Sequence, residues 1–314
     1  MYKQFYGLKR NPFEISPDPS FFCSTPGHYE ALAALYYGVQ RRKGFIVLTG
    51  EVGTGKTLLL RCMSELLRRA QVDMAYVFNP RLSEMEFLRY LMTDLRLPVS
   101  GNDKSAMLFQ LNDYLLARHA QGTTTVVIID EAHLLSWQLL EEVRLLTNME
   151  TPRQKLLQII LVGQPELDHR IDSPDLRQLN QRIGLRRKLT PLTGAEMQQY
   201  ILRRLELASA KTPARMIFSK LAVDAIQKYS RGIPRLANTL CENALVSGYA
   251  HQLPIITGRI VEEVATEFGF DRFERSRLDV NVPDGTISDF SAIRPQVSTV
   301  EAAPVGRVRG VVRG

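Results

Sequence analysis

Cysteine is scarce. Cys23, Cys62 and Cys241 stand far apart, and no C-x-x-C or histidine pair accompanies them. Neither a disulfide framework nor a zinc site is indicated, and three reduced thiols in a cytosolic protein are expected. No apolar run reaches about 18 residues, so no bilayer-spanning helix is predicted. Met1 to Glu14 lack the apolar stretch and small-residue site of a secretory signal. A soluble cytoplasmic protein is the expectation. Neither charge sign dominates: 40 Lys and Arg face 33 Asp and Glu in 314 residues, a net charge of +7. Nucleic acid, anionic lipid and nucleotide all fit that value as partners. The hydrophobic fraction of 45% and charged fraction of 23% lie near globular averages, which excludes a wholly disordered or fibrous chain. The length predicts two domains, or one with additions.

What is present is an alternation of strands and helices. Phe45 to Thr49, Ala75 to Phe78, Thr125 to Ile129 and Leu156 to Val162 read as buried strands, and Leu185 to Leu189 as a more polar fifth. Between them, helices are expected over Lys56–Ala70, from Ser83 towards Leu95 behind a Ser83/Glu86 capping box, over Lys104–His119, and over Trp137–Thr147 behind Ser136. That order implies a parallel α/β sheet with right-handed crossovers. After Pro191 the pattern becomes helical only. A Thr193/Glu196 capping box opens the first of four amphipathic stretches, which end near Phe268. The reading is a leader over 1–40 packing on the core, an α/β core over 41–190, a helical domain over 191–270 and a disordered tail over 271–314.

Gly50-Glu51-Val52-Gly53-Thr54-Gly55-Lys56-Thr57 fits G-x-x-x-x-G-K-[ST], with a strand before it and a helix after it. Glycines let backbone N–H groups curl around phosphates, and the helix aims its N-terminus at the anion. Nucleotide contacts are expected from Gly50 through Leu58. Lys56 would bridge the β- and γ-phosphates of ATP, and Thr57 would ligate Mg²⁺. Val126 to Ile129 then deliver Asp130 and Glu131 to a strand's C-terminal end. Asp130 would hold the Mg²⁺ shell and Glu131 would polarise the attacking water. Asp130-Glu131-Ala132-His133 also spells a helicase box, but no flanking helicase motifs occur, so His133 is read as incidental.

This order of phosphate loop, acidic box and helical lid resembles the AAA+ superfamily. The resemblance implies further roles. Gln164 would be sensor 1, Arg182 an arginine finger acting in trans with Arg177 its rival, and Arg235, in Gly232-Ile233-Pro234-Arg235, sensor 2. Asn79 would restrain Glu131 until a partner binds. A finger in trans implies a homo-oligomer, a ring or filament. Phe5-Tyr6-Gly7-Leu8, Asn11-Pro12-Phe13, His28-Tyr29-Glu30-Ala31-Leu32 and Leu145 to Thr151 narrow the likeness to the ExeA-like (general secretion pathway protein A) ATPases. Relatives of that type serve secretion, exopolysaccharide or sorting loci, and related ATPases regulate transposition. The full secretion proteins carry a membrane segment and a peptidoglycan-binding region, neither of which this sequence displays, so peripheral inner-membrane association would run through a partner.

Two questions stay open at this level. The leader aromatics Phe5, Tyr6, Phe13, Phe21 and Phe22 either form part of a base pocket or simply fill a core. The protein either works on an envelope-export protein partner, or binds DNA as a transposition regulator does. Arg186-Arg187-Lys188 and Arg203-Arg204 permit nucleic acid, and equally a solvated face.

Overall fold

The β-rich runs become five strands, β1 (Phe45–Gly50), β2 (Asp73–Val77), β3 (Thr125–Ile129), β4 (Leu157–Gly163) and β5 (Ile183–Leu189). They pair in parallel in the order β2-β3-β4-β1-β5. The computed structural model describes residues 1–270 apart from 24, 79, 80, 100, 102 and 210–216. Asn79 and the expected tail therefore lie outside the described residues.

Successive strand residues point to opposite faces, so each continuous apolar run serves two layers. Ile46, Leu48, Val126, Ile128, Ile160 and Val162 face α1 (Pro26–Gln40) and α2 (Lys56–Arg69), meeting Leu35, Val39, Leu59 and Met63. Phe45, Val47, Val127, Ile129, Ile159 and Leu161 face the other way. They meet Phe87 and Leu91 of α3 (Glu84–Asp94), Leu111 of α4 (Lys104–Ala120), Leu140 of α5 (Trp137–Leu146) and Leu167 of α6 (Pro165–Ile171). Each fully buried side chain of this size contributes roughly 1.5–3 kcal/mol. The capping box at Ser83 and the N-cap at Ser136 form as expected. The fifth strand starts two residues early because Ile183 pairs with Phe45 before a register shift at Gly184, where an added Cβ would lie 2.6 Å from the Lys43 carbonyl.

A second core is built by α7 (Gly194–Ala208), α8 (Lys220–Ser230), α9 (Pro234–Ala250) and α10 (Gly258–Glu267). Tyr6, Leu8, Phe13 and Phe21 of the leader join this helical core. Lys9 N–H donates to the Ala208 carbonyl at 2.7 Å, and the Tyr6 hydroxyl to the Leu253 carbonyl at 2.9 Å. Three of the five aromatics that pose the question of a base pocket, Tyr6, Phe13 and Phe21, are thus packed among helices, whereas Phe5 is exposed and Phe22 lies against His28. Residues Pro26–Gln40, by contrast, form α1 on the sheet.

Candidate nucleotide site

Strand order decides what meets at the C-terminal end of the sheet. β4 lies between β3 and β1, so the residues after it fall between the glycine loop and the acidic pair. Such a crevice outside the carboxyl ends of parallel strands is where open α/β sheets bind ligands.

The glycine loop curls back over β1. Gly53 and Gly55 have φ of +83° and +98°, backbone that side chains strain to adopt. Gly53 is also crowded: a Cβ there would lie 2.8 Å from that of Arg235, whose N–H donates to the Gly53 carbonyl at 3.2 Å. Lys56 opens α2, and its Nζ donates to the carbonyls of Gly50 (2.7 Å) and Glu51 (2.9 Å). Burial pulls the Lys56 pKa below the ordinary lysine value, while Glu131 and Asp130 oppose that shift. His28 of α1 supports the loop from behind. Its Nε2 stands 2.9 Å from the Thr54 carbonyl and its Nδ1 2.7 Å from Thr25 Oγ1. Burial lowers the His28 pKa.

Asp130 is buried at the end of β3. Its Oδ2 accepts from Thr57 Oγ1 (3.3 Å) and the Tyr76 hydroxyl (3.0 Å), and its Oδ1 from the Glu131 N–H (2.9 Å). Burial and this carboxylate together raise the Tyr76 pKa. Glu131 takes φ +52° and ψ +34°, the left-handed region, which costs a non-glycine residue about 1 kcal/mol. That turn swings its side chain into the crevice. Its Oε2 is buried and makes no hydrogen bond among the described residues. A hydroxyl and a carboxylate side by side form an oxygen-only donor pair of the kind Mg²⁺ takes.

Val52, Gly53, Gly55, Lys56, Thr57, Leu58, Glu131, Gln164 and Arg235 line one cavity of about 480 Å³. Its far wall comes from residues that the sequence reading did not assign to the site. These are Glu14 to Asp18 of the leader, Tyr200 and Arg204 of α7, and Pro234 and Asn238 of α9. Arg204 is the pin. It is buried, donates to the Pro12 and Glu14 carbonyls and to the Tyr200 hydroxyl, and lies over the Phe21 ring at 4.9 Å. So the leader contributes to the cavity through the irregular segment 14–18, anchored on either side by the buried Phe13 and Phe21. Nothing local in the sequence marks Tyr76, His28 or Arg204; the HYEAL leader stretch held the one signal for His28.

Arg182 stands apart from this cavity. Its Nη1 donates to Thr147 Oγ1 (3.0 Å) and Asn148 Oδ1 (2.6 Å), at the start of β5. Arg177 is exposed at the head of the Arg177–Asn180 turn. Of the basic clusters, Arg186 pairs with Asp168 and Asp172, and Arg203 with Glu206. His133, read as incidental, contacts both Glu131 and Gln164. Among the described residues no helix is long and apolar enough to cross a membrane.

Residues 39–171 match the AAA domain family. The chain is 44% identical over 251 residues to general secretion pathway protein A of Aeromonas hydrophila, covering 80% of this chain and 45% of that protein. The chain thus spans less than half the length of that relative. Among solved structures it is similar to the Aeropyrum pernix ORC2 protein in ADPNP–ADP complexes (18% identity, TM-score 0.60, 82% of this chain and 72% of that one). It is similar too to the Thermotoga maritima RuvB Holliday junction branch migration motor (19% identity, TM-score 0.54, 83% and 76%). At these identities the two structures speak for the fold alone. The phosphate loop after β1, the acidic pair after β3 and the likeness in sequence agree: this chain belongs to the AAA+ P-loop ATPases, in the general secretion pathway protein A-like family.

Proposed function

We propose that the chain binds ATP with Mg²⁺ in this cavity and hydrolyses it to drive assembly or remodelling of a protein partner in an envelope secretion, exopolysaccharide or sorting system. The observation that carries the reading is one cavity shared by Lys56, Thr57, Glu131, Gln164 and Arg235, with Asp130 hydrogen-bonded to Thr57. Gly50 to Leu58 would wrap the phosphates, and Lys56 would exchange its loop carbonyls for phosphate oxygens. Thr57 and Asp130 would hold Mg²⁺, which neutralises charge on the transferred phosphoryl group. Glu131, whose carboxylate lines the cavity, is placed to orient water and draw its proton. Gln164 and Arg235 sense the γ-phosphate from the sheet and from the helices, which act as a lid over 191–270. Leader residues 14–18 would flank the base.

A partner in envelope export is supported by the likeness to the secretion pathway protein across most of this chain. The DNA-binding alternative draws on the net charge, two basic clusters and the likeness to transposition regulators; the ion pairs of Arg186 and Arg203 and the burial of Arg204 leave less of those clusters free for phosphates. The working form in this reading is a cytoplasmic homo-oligomer, reaching the inner membrane through its partner, with Arg182 presented to a neighbouring subunit's ATP.

Glu131→Gln tests the reading. Nucleotide affinity is expected to hold while turnover falls at least about 100-fold, as for loss of a catalytic base. Mixing those subunits with Arg182→Ala subunits should restore part of the activity. Near-normal turnover by Glu131→Gln sinks the assignment of the base, and absence of rescue at every ratio sinks the finger in trans.

A further inference from the structure

His133 is the third residue after the catalytic-site Asp130, in the one-turn helix Ala132–Leu134. This turn packs against the end of β4. Gly163 permits the approach, since a Cβ there would lie 3.2 Å from the His133 backbone nitrogen. The imidazole is largely buried, at 11% side-chain exposure, and sits between the two residues that reach for the reacting end of the nucleotide. Its Nε2 is 3.0 Å from Gln164 Nε2. Its Nδ1 is 3.4 Å from Glu131 Oε2, the buried oxygen with no hydrogen bond. The ring is held from its own backbone: Arg170 Nη1 on α6 donates to the His133 carbonyl at 2.6 Å, and its guanidinium lies over Trp137 at 5.2 Å.

The tautomer follows from these partners. With the Gln164 amide oriented so that its nitrogen donates, Nε2 accepts and the ring proton resides on Nδ1. That nitrogen lies 3.4 Å from Glu131 Oε2, within reach of a small carboxylate rotation though not hydrogen-bonded to it in this structure. The Gln164 backbone N–H also points at Nδ1 but at 3.5 Å, the outer limit of a hydrogen bond, and a carboxylate is the stronger partner.

We infer that His133 is a positioning residue that couples sensor to base: it holds one oxygen of Glu131 in register with Gln164, leaving the other oxygen for water. A contact of either ligand-facing residue with the γ-phosphate then reaches the other through one ring. Misplacement of a reacting group by about 1 Å can cost a reaction about 100-fold. The inference rests on the reading of Glu131 as the base.

The test uses the full chain, with single-turnover hydrolysis of Mg·ATP and, separately, affinity for a fluorescent ATP analogue. His133→Ala and His133→Leu are expected to slow hydrolysis by about 10- to 100-fold, with affinity within about twofold. His133→Asn, whose amide can place a donor where Nδ1 stands, should recover a substantial part. In a Glu131→Gln background, His133→Ala should add little, since coupled residues are not additive. Turnover of His133→Ala within twofold of the parent overturns the inference while Glu131→Gln remains slow, which separates it from failure of the base assignment. Parallel loss of affinity, thermal stability and rate in all three variants, with no recovery by Asn, assigns His133 to folding alone and also overturns it. If Glu131→Gln turns over normally, there is no base to position and both readings fall.

Discussion

The cavity has two walls made in different ways. The phosphate wall consists of residues close together in one loop, Val52, Gly53 and Gly55 to Leu58, plus Glu131 and Gln164 just past β3 and β4, all fastened to one hydrogen-bonded sheet. The opposite wall brings residues 14–18 together with residues near 200 and 235, through Arg204 and the aromatic anchor. In the proposed reading the chemistry falls to the wall fastened to the sheet, and the nucleotide's other end faces the assembled wall.

The largest expected effect breaks the first wall. Lys56→Ala should lower affinity for ATP by at least about 100-fold, equivalent to about 2.7 kcal/mol, while far-ultraviolet circular dichroism stays unchanged. Among the described residues the Lys56 ammonium donates to the Gly50 and Glu51 carbonyls, so its loss should lower stability modestly and leave the fold intact. Unchanged titration with a fluorescent analogue would remove the loop as the phosphate site.

Breaking the second wall should show mainly as lost stability. Arg204→Met keeps apolar bulk but leaves the Pro12 and Glu14 carbonyls without their donor, at about 1–3 kcal/mol in total. The melting temperature should fall, and limited proteolysis should cut the leader first. ATP affinity should drop only severalfold. A loss of affinity as deep as that of Lys56→Ala, without a fall in melting temperature, would mean that Arg204 binds nucleotide directly and that the two walls do not differ as described.

The smallest effect sharpens the comparison at the seam. His28 holds the phosphate loop while belonging to the helix that ends the leader. Burial depresses its pKa, so the unfolded chain takes up a proton near pH 6.5 that the folded chain refuses. The stability linked to neutral His28 is complete above that pH and is lost as pH falls towards the lower folded value. His28→Gln should flatten the fall of melting temperature on acidification below about pH 6.5. An identical slope in variant and parent would show that the loop's acid sensitivity lies elsewhere.

Legibility in the sequence follows the same division. Gly53, Gly55, Lys56, Thr57, Asp130 and Glu131 could be read because each role is set by neighbours within a few residues. Gln164 and Arg235 were implied by the family resemblance, and both reach the cavity. Tyr76 was invisible as a partner of Asp130, because only the parallel pairing of β2 with β3 puts that hydroxyl beside the carboxylate. His133 was dismissed for want of helicase motifs, yet its neighbours are set by the end of β4, not by its own segment. Arg203-Arg204 looked like one basic patch; helical geometry turns the first outward to Glu206 and the second into the core.

By itself the sequence determined the sheet, its two apolar faces, the phosphate loop and the acidic pair, since alternation and short-range backbone geometry operate over a handful of residues. Tertiary structure alone decided that the leader joins the last four helices, that residues 14–18 face the phosphate loop, and that an imidazole stands between base and sensor. Those contacts join residues far apart along the chain. Their free energy comes from burying apolar surface and satisfying buried carbonyls, and neither leaves a local pattern of residues to be read.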